Sequence, residues 1–465
     1  MSHFAAIDLG ASSGRVAVGS LTDSTLSFEI IHRFGNEPIR NAHGSLLWNW
    51  EMLKAEIKTG LKAAAAKYEL KSVAVDTWAI DYILYSDSGE VLAPTYSYRD
   101  DRTDAVMEIA IDTYGKDAIY SVTGIQFLPF NTVYQLLAAR DAGELNSGKF
   151  LMIPDAINYE LTGISSNEIT NASTTQILNP NSRDWDWKLI GNLNIPHAVF
   201  PKLHEPNTLV GKVRNLPELN GVDVVAVGSH DTASAVAGAP LENPESDVYI
   251  SSGTWSLVGC EINEPITSAE AMAFNLTNEL GVEGKVRLLK NVAGMWIISE
   301  LIREWAASGE SISAAELVEL ARSETQNKTI IDPNDPLFIH PGNMVERICY
   351  LAEKHGQPIP VGKGAIARCV YESLANSYAQ VIAQLESVTK KKFNKIYVVG
   401  GGSANDLLNQ LTADATQLPI SAGPVEATLL GNVGVQAIHA GEIADLKALR
   451  QLIRASFELK SFLPA

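Results

Sequence analysis

The sequence predicts an α/β protein of two similar lobes, each built on a mixed β-sheet flanked by helices. Three observations carry that expectation. Ala5-Ala6-Ile7 runs as an apolar strand into Asp8-Leu9-Gly10-Ala11-Ser12-Ser13-Gly14, a turn of small and hydroxyl residues. The pattern recurs where Val248-Tyr249-Ile250 runs into Ser251-Ser252-Gly253-Thr254. Between them, Ala239-Pro240-Leu241-Glu242-Asn243-Pro244-Glu245 has the proline-rich polar composition of a domain boundary. The lobes are therefore expected over residues 1–240 and 241–465.

Taken in order, residues 4–9 read as a buried strand and Arg15-Val16-Ala17-Val18 as its hairpin return. Gly10 and Gly14 allow the tight turn, and Ser12, Ser13 and the intervening N–H groups suit an anion, with Arg15 adding a charge-assisted donor. An ordinary β-hairpin has the same pattern. Phe28 to Phe34 alternates as a further strand, and Trp50 to Tyr68 has the apolar spacing of an amphipathic helix. Ser72-Val73-Ala74-Val75-Asp76 is a buried strand leading to Thr77-Trp78-Ala79-Ile80-Asp81, and strand ends are where α/β sheets bind ligands. The cluster Tyr98-Arg99-Asp100-Asp101-Arg102-Thr103 is either a solvated turn or a sugar contact. The loop from Gly124 to Thr132 mixes aromatic, apolar and amide side chains, as a core segment or the wall of a polyol pocket does.

Residues Gly143 to Phe150 nearly spell a phosphate-binding P-loop. Phe150 stands where the hydroxyl residue belongs, and the segment follows a helix and enters a strand, the reverse of the required order. No His-Arg-Asp catalytic loop of the protein-kinase type is present. Residues 201–219 read as connecting structure. Val222 to Gly228 is a strong buried strand that delivers Ser229-His230-Asp231-Thr232 to its C-terminal end. Asp231 is either the cap of the following helix or a catalytic carboxylate, roles that are compatible.

The second lobe opens with the Val248 hairpin. Leu288 to Val292 then leads into a helix from Gly294 to Trp305, and Ala365 to Val388 forms a long helix. Lys395 to Val399 is a strand that enters Gly400-Gly401-Gly402-Ser403 just before another helix, so a flat ring or a ribose can approach the backbone closely. Gly423-Pro424-Val425-Glu426-Ala427 opens a glycine-bearing helix, and the chain ends in a helix with an extended tail.

The 465 residues, 46% hydrophobic and 19% charged, are too many for one ordinary core. A formal net charge of −18 repels nucleic acid and anionic membrane, so neither is expected as a partner. An anionic ligand such as a nucleotide needs a local nest of donors and a divalent cation. The three cysteines, Cys260, Cys349 and Cys369, have no metal-ligand spacing and fit a reducing cytoplasm. No apolar run is long enough for a membrane span or a signal peptide.

Three of these stretches, Asp8-Leu9-Gly10-Ala11-Ser12-Ser13-Gly14-Arg15, Ser251-Ser252-Gly253-Thr254-Trp255-Ser256 and Val399-Gly400-Gly401-Gly402, together resemble the two phosphate motifs and the adenosine motif shared by actin, hexokinase and the heat-shock chaperone ATPases. Within that superfamily the chain is similar to the FGGY carbohydrate kinases through Gly124 to Thr132, Ser229 to Ala235 and Gly423 to Ala427. The likeness runs from Asp8 to about Gln436. It implies two ribonuclease H-like (actin-like ATPase) lobes around a central cleft, and ATP- and Mg2+-dependent phosphorylation of L-rhamnulose on its 1-hydroxyl. Carried over residue by residue, it makes Asp231 the catalytic base, and Ala11, Ser12, Ser13, Gly14, Arg15, Thr254 and Gly401 nucleotide contacts. His230, Thr232 and Asn291 become sugar contacts. In that reading Asp8 is expected to hold the metal through water, because magnesium tends to retain its waters. Ala79 stands where relatives use a sugar-touching glycine, and Ser299 where they use a nucleotide-contacting glutamine. The alternatives are another ketose or polyol (L-fuculose, xylulose, glycerol), a sugar-indifferent ATPase of the chaperone kind, or a catalytically silent sugar-binding regulator. A cytoplasmic monomer or small homo-oligomer is expected.

Overall fold

The computed structural model describes residues 1–22, 24–324 and 328–465. Strands β1 (Ser2–Leu9), β2 (Ser13–Leu21) and β3 (Leu26–Gly35) form an antiparallel meander in which Asp8 faces Arg15. Helix α1 (Trp50–Lys67) follows, its first turn closed by Met52 N donating to the Asn49 side chain at 3.2 Å. Strand β4 (Leu70–Thr77) returns parallel to β1 and sets Asp76 beside Asp8. Strands β5 (Thr208–Lys212) and β6 (Asp223–Ala226) complete the sheet, in the order β5-β6-β4-β1-β2-β3. Helix α2 (Asp231–Ala237) leaves the C-terminal end of β6.

The same plan recurs further along the chain. Strands β7 (Asp247–Ser252) and β8 (Trp255–Ile262) make the second hairpin, with β9 (Val286–Ala293) beside β8. Helices α3 (Trp296–Ala307) and α4 (Lys363–Thr389) come next, and β10 (Lys395–Val399) then pairs parallel with β7. After helix α5 (Asp406–Thr416), strand β11 (Ile420–Ala422) lies parallel to β10. Helices α6 (Ala427–His439) and α7 (Leu446–Ser456) and strand β12 (Lys460–Phe462) end the chain. In both sheets a hairpin is followed by two parallel strands stacked outward from its first member.

Two compact units result. The first is Met1–Pro240 with Glu261–Leu288 and Ala427–Phe457, and the second is Leu241–Cys260 with Leu289–Glu426 and Glu458–Ala465. In the first unit, period-two alternation splits the sheet into two apolar faces. Ala5, Ile7, Val16, Val18, Val73 and Val75 pack under Leu53, Ile57 and Leu61 of α1. Phe4, Ala6, Ala17 and Ala74 meet Leu429, Leu430 and Val433 of α6 and Leu449 and Ile453 of α7. Each of the larger apolar side chains here contributes about 1.5–3 kcal/mol by leaving water.

Helices α2 and α6 touch backbone to backbone. A Cβ on Gly431 would lie 1.8 Å from the Ser234 carbonyl oxygen, and one on Gly238 would lie 2.1 Å from that of Ala427. Glycine is what permits the contact.

Two local differences from the sequence reading have physical reasons. Strand β5 lies inside the stretch read as connecting structure; it is a short edge strand with only Val210 buried, entered through Asn207 at φ 64°. The N-cap of α2 is His230, and Asp231 is the first helical residue, so Asp231 does not cap the helix. The near-P-loop segment runs from the helix Thr132–Asp141 into the strand Lys149–Met152, as its rejection requires. Among the described residues no helix is long and apolar enough to cross a membrane.

Candidate active site

In the first unit the C-terminal ends of β1, β4 and β6 carry Asp8, Asp76 and the loop before α2. Arg15 reaches back across the β1–β2 hairpin and donates to Asp8 Oδ2 from Nε at 2.8 Å and from Nη2 at 2.6 Å. The turn between these strands is closed by Gly10 N donating to the Ser13 carbonyl at 2.9 Å, and it is buttressed by Asn36, whose N donates to Ser12 O and whose Nδ2 donates to Gly10 O. Ser12 and Ser13 are exposed, Ala11 and Arg15 half-buried, and Gly14 buried. A Cβ at Gly14 would sit 2.4 Å from the Phe34 ring, so this glycine serves packing.

Asp76 is fully buried. Asn432 Nδ2 donates to its Oδ2 at 2.6 Å, and Oδ1 has no hydrogen-bond partner. Desolvation first, and then the neighbouring Asp8, push its carboxyl well above the usual range.

The loop that aims Asp231 is clamped at several points. Thr77 N donates to the Ser229 carbonyl at 2.8 Å, and the Glu168 carboxylate accepts from Ser229 N and Oγ at 3.1 and 2.6 Å. The Asp231 side chain remains 31% exposed. Its Oδ1 accepts from Thr232 Oγ1 at 3.1 Å and lies 3.4 Å from His230 Nε2. Desolvation raises its pKa, His230 opposes that rise, and Asp8 adds to it. The result is a carboxylate inclined to take a proton, with room beside it.

Ala79 and Ile80 are half-buried in the turn after β4, and Ile80 has φ 67°, a left-handed conformation that a β-branched residue rarely adopts. The turn is held by Asp81, whose carboxylate accepts from the indoles of Trp48 and Trp78 at 2.6 and 2.9 Å and from Gln135 Nε2 at 2.9 Å. Thr132 Oγ1 donates to the Ile80 carbonyl at 2.6 Å. The 124–132 loop is mostly buried, and its Asn131 amide bonds inward to Gln126 O and Gln176 Oε1, leaving Leu128, Pro129 and Phe130 as its half-exposed part.

In the second unit Thr254 is exposed at the tip of the β7–β8 hairpin, where its carbonyl accepts from Trp296 N at the start of α3. Val399 at the end of β10 pairs with Ser251, which brings the glycine turn beside that hairpin. Gly400, at φ 80°, and Gly402 are forced by contact with Ser252, because Cβ atoms there would lie 2.8 Å from its O and 2.0 Å from its Oγ. Gly401 faces open space. Asn291 is half-buried on β9, and Ser299 is exposed on α3. Within their own units, the structure thus gathers Asp8, Ala11 to Arg15, His230, Asp231 and Thr232, and separately Thr254 with Gly401.

Sequence reasoning gave no role to three residues beside the first group: Asp76, Glu279 and Arg287. Arg287 and Glu279 are buried and paired at 3.1 Å, and both contact His230. The signal was Arg287 set in the apolar run Val286 to Leu289.

Comparison with known proteins decides the family. Residues 4–238 match the N-terminal domain, and residues 248–440 the C-terminal domain, of the FGGY family of carbohydrate kinases. The chain belongs to the FGGY carbohydrate kinases. This FGGY kinase is 42% identical over 466 residues to rhamnulokinases of Mannheimia succiniciproducens and Bacillus subtilis, covering 99% of its own length and 94% and 95% of theirs. Its fold matches that of a xylulose kinase from Lactobacillus acidophilus with a TM-score of 0.81, and of a Plasmodium falciparum glycerol kinase solved with ADP with a TM-score of 0.79. Sequence identities to these two are 16% and 17%, over all of this chain and 94% of each. The actin-like α/β class expected from sequence is the class of this FGGY kinase.

Proposed function

We propose that this chain transfers the γ-phosphoryl group of ATP to the 1-hydroxyl of L-rhamnulose, with Asp231 as general base. The observation that carries the reading is the Asp231 carboxylate, partly open at the end of β6 within an otherwise buried polar cluster. The 42% identity to rhamnulokinases over nearly the full chain supports the sugar.

In this reading the sugar oxygen attacks the γ-phosphorus, the bond from that phosphorus to the β–γ bridging oxygen breaks, and ADP leaves. The hydroxyl proton passes to Asp231, a contribution of roughly 10²–10⁴ in rate. A raised carboxyl suits this role, because a base works best when its pKa approaches the operating pH. His230, Thr232, Asn291 and the Ala79 turn orient the sugar. Ala11 to Arg15, Thr254 and the open face of Gly401 receive the nucleotide, with backbone N–H groups stabilising phosphoryl charge.

Magnesium fits the donor set in an indirect way. Among the described residues no three ligands are gathered for a metal. Asp8 beside Asp76, with Asp76 Oδ1 unpartnered, offers hard oxygen donors of the kind that hold Mg2+ through its waters. Bound there, the ion supplies charge neutralisation on the phosphates. We assign the enzyme to the cytoplasm, as a monomer or small homo-oligomer.

The test is coupled ADP release from ATP·Mg with L-rhamnulose, L-fuculose, D-xylulose and glycerol, for the native enzyme and Asp231→Asn. Preference for L-rhamnulose with a kcat loss of about 10²-fold or more in the variant is expected. A preference for another sugar moves the substrate and points to Ala79. Turnover indifferent to sugar and to Asp231 refutes the kinase reading.

A further inference from the structure

Behind Asp231, on the inner side of the His230 ring, lies a buried ion pair that the proposed reaction does not touch, Glu279 with Arg287. His230 is 8% exposed, Glu279 5% and Arg287 1% by side chain. Arg287 Nη2 lies 3.1 Å from His230 Nδ1 and 3.1 Å from Glu279 Oε2, and Arg287 Nε donates to the Leu280 carbonyl at 3.2 Å. His230 Nδ1 is 3.2 Å from Glu279 Oε2, and on the far side of the ring Nε2 is 3.4 Å from Asp231 Oδ1.

The protonation logic follows from what each group can do. A guanidinium donates and never accepts. With an Arg287 N–H directed at Nδ1, that nitrogen accepts, so the neutral ring carries its proton on Nε2. Nε2–H then faces a carboxylate oxygen, which is the arrangement that lowers the energy of both. The opposite tautomer would turn Nδ1–H toward Glu279 Oε2, but it would also set that N–H against a guanidinium donor and a lone pair against Asp231. The partner of one ring nitrogen thus decides the state of the other.

We propose that Arg287, anchored by Glu279, is a positioning residue that holds His230 in the Nε2–H tautomer and so fixes the Asp231 carboxylate for proton abstraction. The inference rests on the reading of Asp231 as the base. With Oδ1 occupied by Nε2–H and by Thr232 Oγ1, Oδ2 is the oxygen left for the sugar hydroxyl. Neither Arg287 nor Glu279 touches substrate; they act through the imidazole.

The tautomer is read directly by long-range ¹H–¹⁵N correlation of ¹⁵N-histidine-labelled enzyme without substrate, with the His230 signals assigned by His230→Asn. The native enzyme is expected to show a protonated Nε2 and a bare Nδ1. Arg287→Lys, which keeps a donor, is expected to retain that pattern. Because Arg287→Met strands Glu279, the working variant is Arg287→Met/Glu279→Gln. It is expected to lose the fixed tautomer and, by analogy with other orienting partners, to lower kcat roughly 10- to 100-fold, with KM for ATP held within twofold. A proton on Nδ1 of the native enzyme overturns the proposal, as does a folded double variant with kcat within twofold of native. The spectrum is independent of turnover, so full activity in Asp231→Asn sinks the base assignment without deciding the tautomer.

Discussion

Gly431→Ala tests whether the placement of α2 sets catalysis. The new methyl group would lie 1.8 Å from the Ser234 carbonyl oxygen and within 2.9 Å of Gly238 N, where real Cβ contacts do not fall below 3.0 Å. The obstacle is backbone, so no side chain can rotate away, and α2 must shift by roughly 1.2 Å along that contact. Two effects compete. Alanine in place of glycine within a helix gains about 1 kcal/mol, and overpacking of this kind costs about 1–3 kcal/mol. Packing wins, and stability falls modestly. With Asp231, the first residue of α2, as the proposed base, the larger expected effect is on rate, since a misplacement of about 1 Å can cost about 10²-fold. Gly434→Ala is the control: on the same helix, its methyl group meets the buried Leu449 side chain and no backbone of α2, so it strains packing without pressing on Asp231. The assay is steady-state ADP release at saturating sugar beside urea unfolding of each variant. A folded Gly431→Ala enzyme whose kcat stays within twofold of native refutes the reasoning.

Three further outcomes are expected. Asp81→Asn turns an amide N–H₂ toward donors that now share a carboxylate, so urea unfolding should show a loss of about 1–3 kcal/mol, with altered fluorescence from Trp48 and Trp78. Arg450→Met leaves Glu261 buried without the guanidinium now 2.9 Å away, at a cost of about 3–5 kcal/mol, and Arg450→Met/Glu261→Met should recover most of it. Burial raises the carboxyls of Asp81, Asp155 and Glu168 above the ordinary range. His204 is raised as well, since Asp155 and Glu168 outweigh the opposing effect of its burial. The folded state therefore binds these protons more readily than the unfolded chain. Their contribution is complete below the unfolded values and is lost as pH rises through the folded ones. The urea midpoint should climb as pH is lowered from about 8 to about 5; a flat or falling profile contradicts this.

The parts of the candidate site legible in sequence were those written locally. The Asp8 turn, the Thr254 turn and the Gly401 turn each follow an apolar strand directly, and Asp231 follows another, so composition and order suffice to find them. What sequence hid depends on partners far along the chain. Asp76 reads as an ordinary strand end until Asn432 is seen to cover one of its oxygens. Arg287 and Glu279 lie in or beside strands, and their relation to His230 exists only after more than forty intervening residues have folded back. Ile80 gives no hint of its left-handed backbone, because that conformation is imposed by Asp81, Thr132 and the packed indoles. The edge strand β5 failed to register because a strand with one buried residue has almost no alternation to detect.

Helices α6 and α7 complete a sheet whose first three strands lie far earlier in the chain. Phe4, Ala6, Ala17 and Ala74 share their core with Leu429, Leu430, Val433, Leu449 and Ile453. During synthesis, that face of the nascent sheet waits for these side chains until residues 427–456 have emerged. A ribosome stalled between the end of β4 and residue 427 holds a sheet with that face half-covered, an apolar surface of the kind that chaperones bind.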